Sequence, residues 1–291
     1  MADCFIYKER IKALRNLGLV IDDEEMAIVC LKSIGYNRLL SYFFAVKGKA
    51  TRQNSFYLSS VLDLYQFDTD LRNLLIRLIA PIEVRAKAAI GEILEYRIGD
   101  EALFCTSLFS DVAAHSRFLE ALQRETTRAV NAKVPVVSRH YEISAKLPVG
   151  VSIDLLSLGS ISALYSNLSD SVKNNDGLSL KSEIADAFGT SGYYLQSWLH
   201  HLTAIRNICA HNDRFYAHLV KIKPKLLKSD RKVSNSSQFS TFLVLKHLCS
   251  AYLFEQWDTF LADFIRLKED KAGVPLEPMG FPFNWREMLY Q

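Results

Sequence analysis

Very little in this chain interrupts a helix, and several functional classes find no material in it. Its 291 residues include only 12 Gly and 7 Pro, the strongest punctuators of local structure. No alternating polar and apolar run competes with the helical three- and four-residue periodicity, and neither an internal repeat nor a low-complexity tract is present. The five cysteines, Cys4, Cys30, Cys105, Cys209 and Cys249, are odd in number, widely spaced and without a CxxC pair. That pattern argues against a disulfide framework or a zinc knuckle, and the thiols are expected to be reduced and in the core. There is no HExxH pattern. The longest apolar window, FSTFLVLKHLCSAYLF (239–254), is too short for a membrane span and carries Lys246 and His247. The opening MADCFIYKERIK lacks an apolar signal core. A cytoplasmic location with no membrane partner is expected.

What is there is a helical pattern. With 49% hydrophobic and 23% charged residues, the chain can bury a substantial core in one large or two small domains. A first helix is expected over Tyr7–Leu17, stopped by Gly18. A second opens at Asp22–Asp23, where acids suit a helix N-terminus, and ends at Gly35. These two form a hairpin, with a first domain at 1–50 and a second at 51–291. A long periodic segment runs from Ser59 to Ile98, and Pro81 within it predicts two helices or a kink. Further helices are expected at 116–132, 151–167, 179–188, 192–211 and 237–269, before a proline-rich tail at 275–285. Two prolines and β-branched residues in AKVPVVSRHYEISAKLP suggest a loop or a brief strand-like excursion at 133–148.

Charge is informative only locally. The whole chain is +3, which says little about partners. Between 206 and 232, however, Arg206, Arg214, Lys221, Lys223, Lys225, Lys228, Arg231 and Lys232 oppose only Asp213 and Asp230. Eight against two is +6, which leaves −3 for the rest. Such a segment suits a polyanion, because each neutralised phosphate releases counterions. A solvated lysine loop is the plain alternative.

The basic segment begins at the hexapeptide RNICAH (206–211), near the end of an amphipathic helix. Leu195, Trp198, Leu199, Leu202, Ile205 and Cys209 recur at helical steps and mark its buried stripe. His200, Asn207 and His211 fall on the opposite face, with Asn207 and His211 as i,i+4 neighbours. Arginine offers a fixed-charge fork for phosphate oxygens, and histidine can exchange protons near neutral pH. Arg206 lies about 140° from His211 on an ideal helix, so a local break or a second copy of the helix must help if both are to reach one phosphate. Each group has a structural reading too. His211 could satisfy helix-end carbonyls, Arg206 could be a core-edge arginine paired with a carboxylate, and Asn207 could tie the helix end to a neighbour. His200 and His201 could make a metal site with His211, but no carboxylate stands at ligand spacing. Tyr193, Tyr194 and Trp198 sit at core spacing.

The hexapeptide resembles the Arg-x4–6-His motif of the HEPN superfamily of helical ribonucleases. The resemblance extends to the Abi-like proteins of bacterial abortive infection, the group around AbiD and AbiF. Four stretches carry it: LRNLGLVIDDEEMAIVCLKSIGYNRLLSYF (14–43), VLDLYQFDTDLRNLLIRLIAPIEVRAKAAI (61–90), LPVGVSIDLLSLGSISALYSNL (147–168) and SWLHHLTAIRNICAHNDRFY (197–216). It departs from the family where a second histidine is often expected, at Asn212, and where an asparagine is expected, near Ala217.

The resemblance implies an all-α HEPN-type helical bundle with additional N-terminal helices, and a metal-independent endoribonuclease in antiphage defence that uses no cofactor. The RNA 2′-hydroxyl would attack the adjacent phosphorus, leaving a 2′,3′-cyclic phosphate and a 5′-hydroxyl. His211 would exchange protons with the attacking or leaving oxygen, Arg206 would stabilise phosphate charge, and Asn207 would orient His211 or the substrate. Arg214, Lys221, Lys223, Lys225 and Lys228 would bind RNA. Glu83 and Arg85 fall at a family position beside the motif, as a structural ion pair or as support for Arg206. A homodimer is implied by the divergence of Arg206 and His211, and an antitoxin protein or a bound noncoding RNA would restrain a toxin-like activity. The rival reading is a non-catalytic RNA-binding or scaffolding module. A protein-binding helical adaptor would leave the basic segment unexplained.

Overall fold

The structure, a computed structural model, describes residues 2–48, 55–144 and 146–290, with side chains from Phe5 onward. The expected boundary at 50/51 and the side chain of Cys4 lie outside the described residues. The fold is all-α, with thirteen helices and one two-residue strand pair among the described residues. The helices are α1 (Ala2–Asn16), α2 (Glu24–Ser33), α3 (Tyr36–Lys47), α4 (Leu58–Arg97), α5 (Val112–Asn131), α6 (Pro135–Ile143) and α7 (Val149–Asp154). They continue with α8 (Leu158–Asn167), α9 (Leu180–Asp186), α10 (Gly192–Ala210), α11 (Phe239–Cys249), α12 (Phe254–Asp270) and α13 (Trp285–Tyr290). The strands β1 (Leu19–Val20) and β2 (Phe56–Tyr57) pair in parallel. No described helix is long and apolar enough to cross a membrane.

The organising element is α4. Its 40 residues rise about 60 Å at 1.5 Å each, and α3, α7, α8, α9, α10, α11 and α12 all pack along it. Pro81 predicted two helices or a kink, and of these the division into two helices is corrected, because one continuous helix spans the segment. Leu75, Leu78 and Ile79 before the proline, and Ile82, Ala86 and Ala89 after it, are all buried. Burial on both sides outweighs the roughly 3 kcal/mol that an interior proline costs.

Several other expectations are corrected. Within the expected loop or strand-like excursion at 133–148, Pro135–Ile143 form a helix: α6 starts with Pro135 in its first turn, where a missing N–H costs nothing and the fixed φ suits a helix. Val137 then packs on Ala129 and Leu147. A third N-terminal helix, α3, follows the first two, so this region is more than a hairpin. The expected helix 151–167 is two, because Ser157 caps α8 by accepting the Ser160 N–H at 3.2 Å. The span 237–269 also divides. Phe239 through Leu245 are all buried in α11, as in a helix enclosed on every side, whereas α12 buries only the stripe Trp257, Phe260, Leu261, Phe264 and Leu267. Cys30, Cys209 and Cys249 are buried free thiols, but Cys105 is exposed.

Candidate functional site

Helix α10 buries the stripe read from the sequence, Leu195, Trp198, Leu199, Leu202, Ile205 and Cys209, against α4, α8, α9 and α11. Burial pushes the Cys209 thiol up to about 12, so it is an inert core group. The helix stays regular through Ala210 and stops in a Schellman motif. His211 is the C-cap, donating its N–H to the Asn207 carbonyl at 2.9 Å. Asn212 turns left-handed at φ 56°, a conformation that asparagine tolerates. The amides of Asn212 and Asp213 then close on the carbonyls of Cys209 (3.2 Å) and Ile208 (3.0 Å).

Arg206, Asn207 and His211 are all exposed. Among the described residues no ion pair engages Arg206, so it is not a core-edge arginine held by a carboxylate. With no break before His211, Arg206 and His211 remain about 140° apart around the axis and roughly 7 Å apart along it.

The chain just beyond His211 is held by a buried polar network that sequence reasoning missed. Asp68 on α4 is fully buried. Its carboxylate accepts from the Tyr42 hydroxyl (2.5 Å), from Arg72 (2.6 Å) and from the backbone amides of Phe215 (3.2 Å) and Tyr216 (2.6 Å). Arg72, also buried, donates to the Tyr42 oxygen at 2.9 Å and to the Asp213 carbonyl at 3.1 Å. Complete burial pushes the Asp68 carboxyl up, against the pull of the Tyr42 hydroxyl, Arg72 and the two amides. Helices α3 and α4 thereby grip residues 213–216. The available signal was an i,i+4 Asp–Arg pair inside the apolar stripe Leu64, Phe67, Leu71 and Leu75. Arg214 is half-buried, and its guanidinium donates to Ser41 Oγ (3.1 Å) and the Tyr216 carbonyl (2.9 Å). Two of its donors serve the fold rather than a ligand.

From Ala217 the chain doubles back along α10 as an extended strap. His201 Nδ1 meets the Ile222 carbonyl at 2.6 Å. Three residues further on, Trp198 Nε1 donates to the Lys225 carbonyl (2.7 Å) and the Lys225 amide donates to Ser197 Oγ (2.9 Å). The strap alternates: Val220 and Pro224 are buried and Ile222 half-buried, while Lys221, Lys223 and Lys225 face solvent, as does Lys228 beyond. The strap thus presents lysines at alternate positions where it is tied to α10 between His201 and Ser197. Lys225 Nζ lies 3.2 Å from the centre of the exposed Tyr193 ring, a cation–π contact. Tyr193 is therefore not core, whereas Trp198 is.

His201 is fully buried, with Nε2 3.0 Å from the Thr241 hydroxyl. Burial lowers its pKa to about 4. Both nitrogens are used inside the fold, so it joins no ligand set with exposed His200 and His211. Glu83 and Arg85 do not pair. Residues two apart on a helix do not face each other, and Glu83 instead meets Lys87 at 3.2 Å while Arg85 lies over the Tyr252 ring at 4.4 Å.

The arrangement offers a cationic fork, an amide and an imidazole at one helix end, with a cationic track leading away. The sequence model of a family described as Abi-like protein matches residues 29–217. That span runs from within α2 to the start of the strap and takes in the Tyr42–Asp68–Arg72 network and the hexapeptide. No curated protein and no solved structure matches the chain.

Proposed function

The chain belongs to the Abi-like family, and on that premise we propose that it is a metal-independent endoribonuclease of the HEPN type acting in abortive infection. The observation that carries this reading is that Arg206, Asn207 and His211 stand exposed on the last turns and cap of α10, whose end is fixed from behind by Asp68 and Arg72. A group committed to the fold would be buried or paired.

In this reading the RNA 2′-hydroxyl attacks the adjacent phosphorus, and the bond to the departing 5′-oxygen breaks. The products are a 2′,3′-cyclic phosphate and a 5′-hydroxyl. His211 takes the proton from the attacking oxygen or gives one to the leaving oxygen. Arg206 stabilises the charge that develops on the non-bridging oxygens, and Asn207, one turn before His211, orients the imidazole or the substrate. DNA, which lacks the 2′-hydroxyl, is spared. Two copies of α10 facing each other in a homodimer would bring Arg206 of one chain beside His211 of the other. A growth-arresting nuclease needs restraint, which an antitoxin protein or a bound noncoding RNA would supply.

The test is incubation of single-stranded RNA with the purified protein in excess EDTA. Cleavage to cyclic-phosphate ends is expected, with a loss of about 10²-fold or more in rate for His211→Ala. Cleavage that stops on chelation and returns with a divalent ion would remove the metal-free mechanism. Tight RNA binding with no cleavage by wild type would leave a scaffolding module in its place.

A further inference from the structure

A cleft opens where the basic strap ends. Its volume is about 500 Å³, within the range of small-molecule sites. It lies outside the family-matched span 29–217, so the family match does not account for it. Asp230 stands at its base, buried, with both oxygens occupied: one accepts from His247 Nε2 at 2.7 Å and the other from Ser229 Oγ at 3.2 Å. This carboxylate is spent within the fold. It also fixes His247, whose ring lies flat against Trp198 at 5.6 Å between centres and 11° between planes.

The remaining polar groups of the cleft are rich in donors. Lys246 is half-buried and gives one hydrogen bond, to the Met288 carbonyl at 2.7 Å. An ammonium has three donors. Burial holds its pKa below the ordinary lysine value, with Asp230 opposing. Its other two donors are free to meet a ligand that enters the cleft. Lys232, exposed at the rim, adds a second cation. Two lysines beside a carboxylate that already accepts from His247 and Ser229 suit an anionic, acceptor-rich ligand, and apolar wall such as Met288 leaves room for a flat ring.

We propose that this cleft is a nucleotide-phosphate site, in which Lys246 and Lys232 hold the phosphate. The nucleotide comes either free or as one residue of an RNA laid along the strap, since both carry the same phosphate chemistry. The site does not depend on the cleavage reading, because its test reads binding rather than turnover.

The experiment is calorimetric titration of the full chain with adenosine 5′-monophosphate, and separately with inorganic phosphate. Saturable binding of the nucleotide is expected, weakened about tenfold in both Lys246→Met and Lys232→Gln, as for loss of one charge-assisted hydrogen bond. Lys232 is on the surface, so its variant decides the matter should Lys246→Met fold poorly. Absence of saturation at millimolar nucleotide, unchanged affinity in Lys232→Gln, or binding of phosphate without the nucleotide would each overturn the proposal. Competition by a single-stranded oligoadenylate would identify the occupant as RNA, and nucleotide binding without such competition would identify a free nucleotide. An inactive His211 leaves every one of these readings intact.

Discussion

The Asp68 carboxylate accepts the backbone N–H of Tyr216 at 2.6 Å, a bond that closes 148 residues of sequence and fastens the chain beyond His211 to the N-terminal third of α4. The same carboxylate is 2.6 Å from Arg72. Asp68→Asn would leave that guanidinium buried without its counter-charge, a change that typically costs about 3–5 kcal/mol. Urea unfolding measures it. Tyr42→Phe, which removes one hydroxyl from the same network, should cost only about 1 kcal/mol. A loss below about 1 kcal/mol for Asp68→Asn would mean that the grip on residues 213–216 is maintained elsewhere.

Ala217 holds φ at 49°, a left-handed conformation that costs an L-residue about 1–2 kcal/mol. Asparagine adopts it more readily, and an asparagine near this position is what the family resemblance implies. Ala217→Asn should therefore raise stability by about 0.5–1 kcal/mol, read as a higher urea midpoint at unchanged slope. An unchanged or lower midpoint would show that the half-buried methyl group contributes more than the strain takes away.

His201 makes stability depend on acid. Its folded pKa of about 4 lies below the ordinary histidine value of about 6.5, so the unfolded chain binds the proton more tightly. Stability is full above about pH 6.5 and falls as pH drops towards 4. At most about 3 kcal/mol is lost by this route. Unfolding free energies measured between pH 7 and 4 should show a steeper fall for wild type than for His201→Gln. Equal slopes would show that the imidazole titrates freely and that its burial does not exclude the proton.

Periodicity explains which features were legible in the sequence. The buried stripe of α10 from Leu195 to Cys209 was readable because apolar spacing reports one face of a helix directly. The all-α fold followed from the scarcity of Gly, Pro and alternating runs. Pro81 did not divide α4 because its cost is local, while the burial of Leu78, Ile79 and Ile82 that outweighs it is tertiary. Pro135 misled for a related reason, since the same ring that breaks a helix interior starts a helix well. At the site, exposure of Asn207 and His211 agreed with their polar face, and Arg206, about 140° away from His211, is exposed as well. Asp68 and Arg72 went unnoticed because a charged i,i+4 pair reads as a solvated helix face unless the surrounding stripe is known to be enclosed. Arg214 was counted with the basic segment because charge counting does not see that Ser41 and the Tyr216 carbonyl already engage it.

The lysine strap makes a prediction separate from catalysis. Replacing Lys221, Lys223, Lys225 and Lys228 by Gln should weaken single-stranded RNA binding and flatten its salt dependence. Each phosphate that is no longer neutralised takes about 0.7 off the log–log slope. The four side chains face solvent, and the strap is tied to α10 through the backbone of Ile222 and Lys225, so the fold should survive. An unchanged slope would show that these lysines form only a solvated edge and that RNA, if bound, lies elsewhere.

Assembly follows from the uninterrupted α10. Because the helix is regular to Ala210, Arg206 and His211 of one chain diverge by about 140°, and no turn of that helix aims both at one phosphate. The expected solution is a two-fold dimer in which the 192–210 helices of both subunits line a shared cleft, each centre taking Arg206 from one chain and His211 from the other. Arg206→Ala and His211→Ala proteins should each be inactive alone, and a mixture should recover activity, because one of the two centres in each heterodimer is then intact. Recovery that rises with the heterodimer fraction measured by native mass spectrometry would distinguish this from contamination by wild type. Failure of a verified heterodimer to recover any activity would place Arg206 and His211 of the same chain in one centre, with a change in the α10 end on RNA binding. A protein that remains monomeric and cleaves at full rate at every dilution would remove the shared cleft altogether.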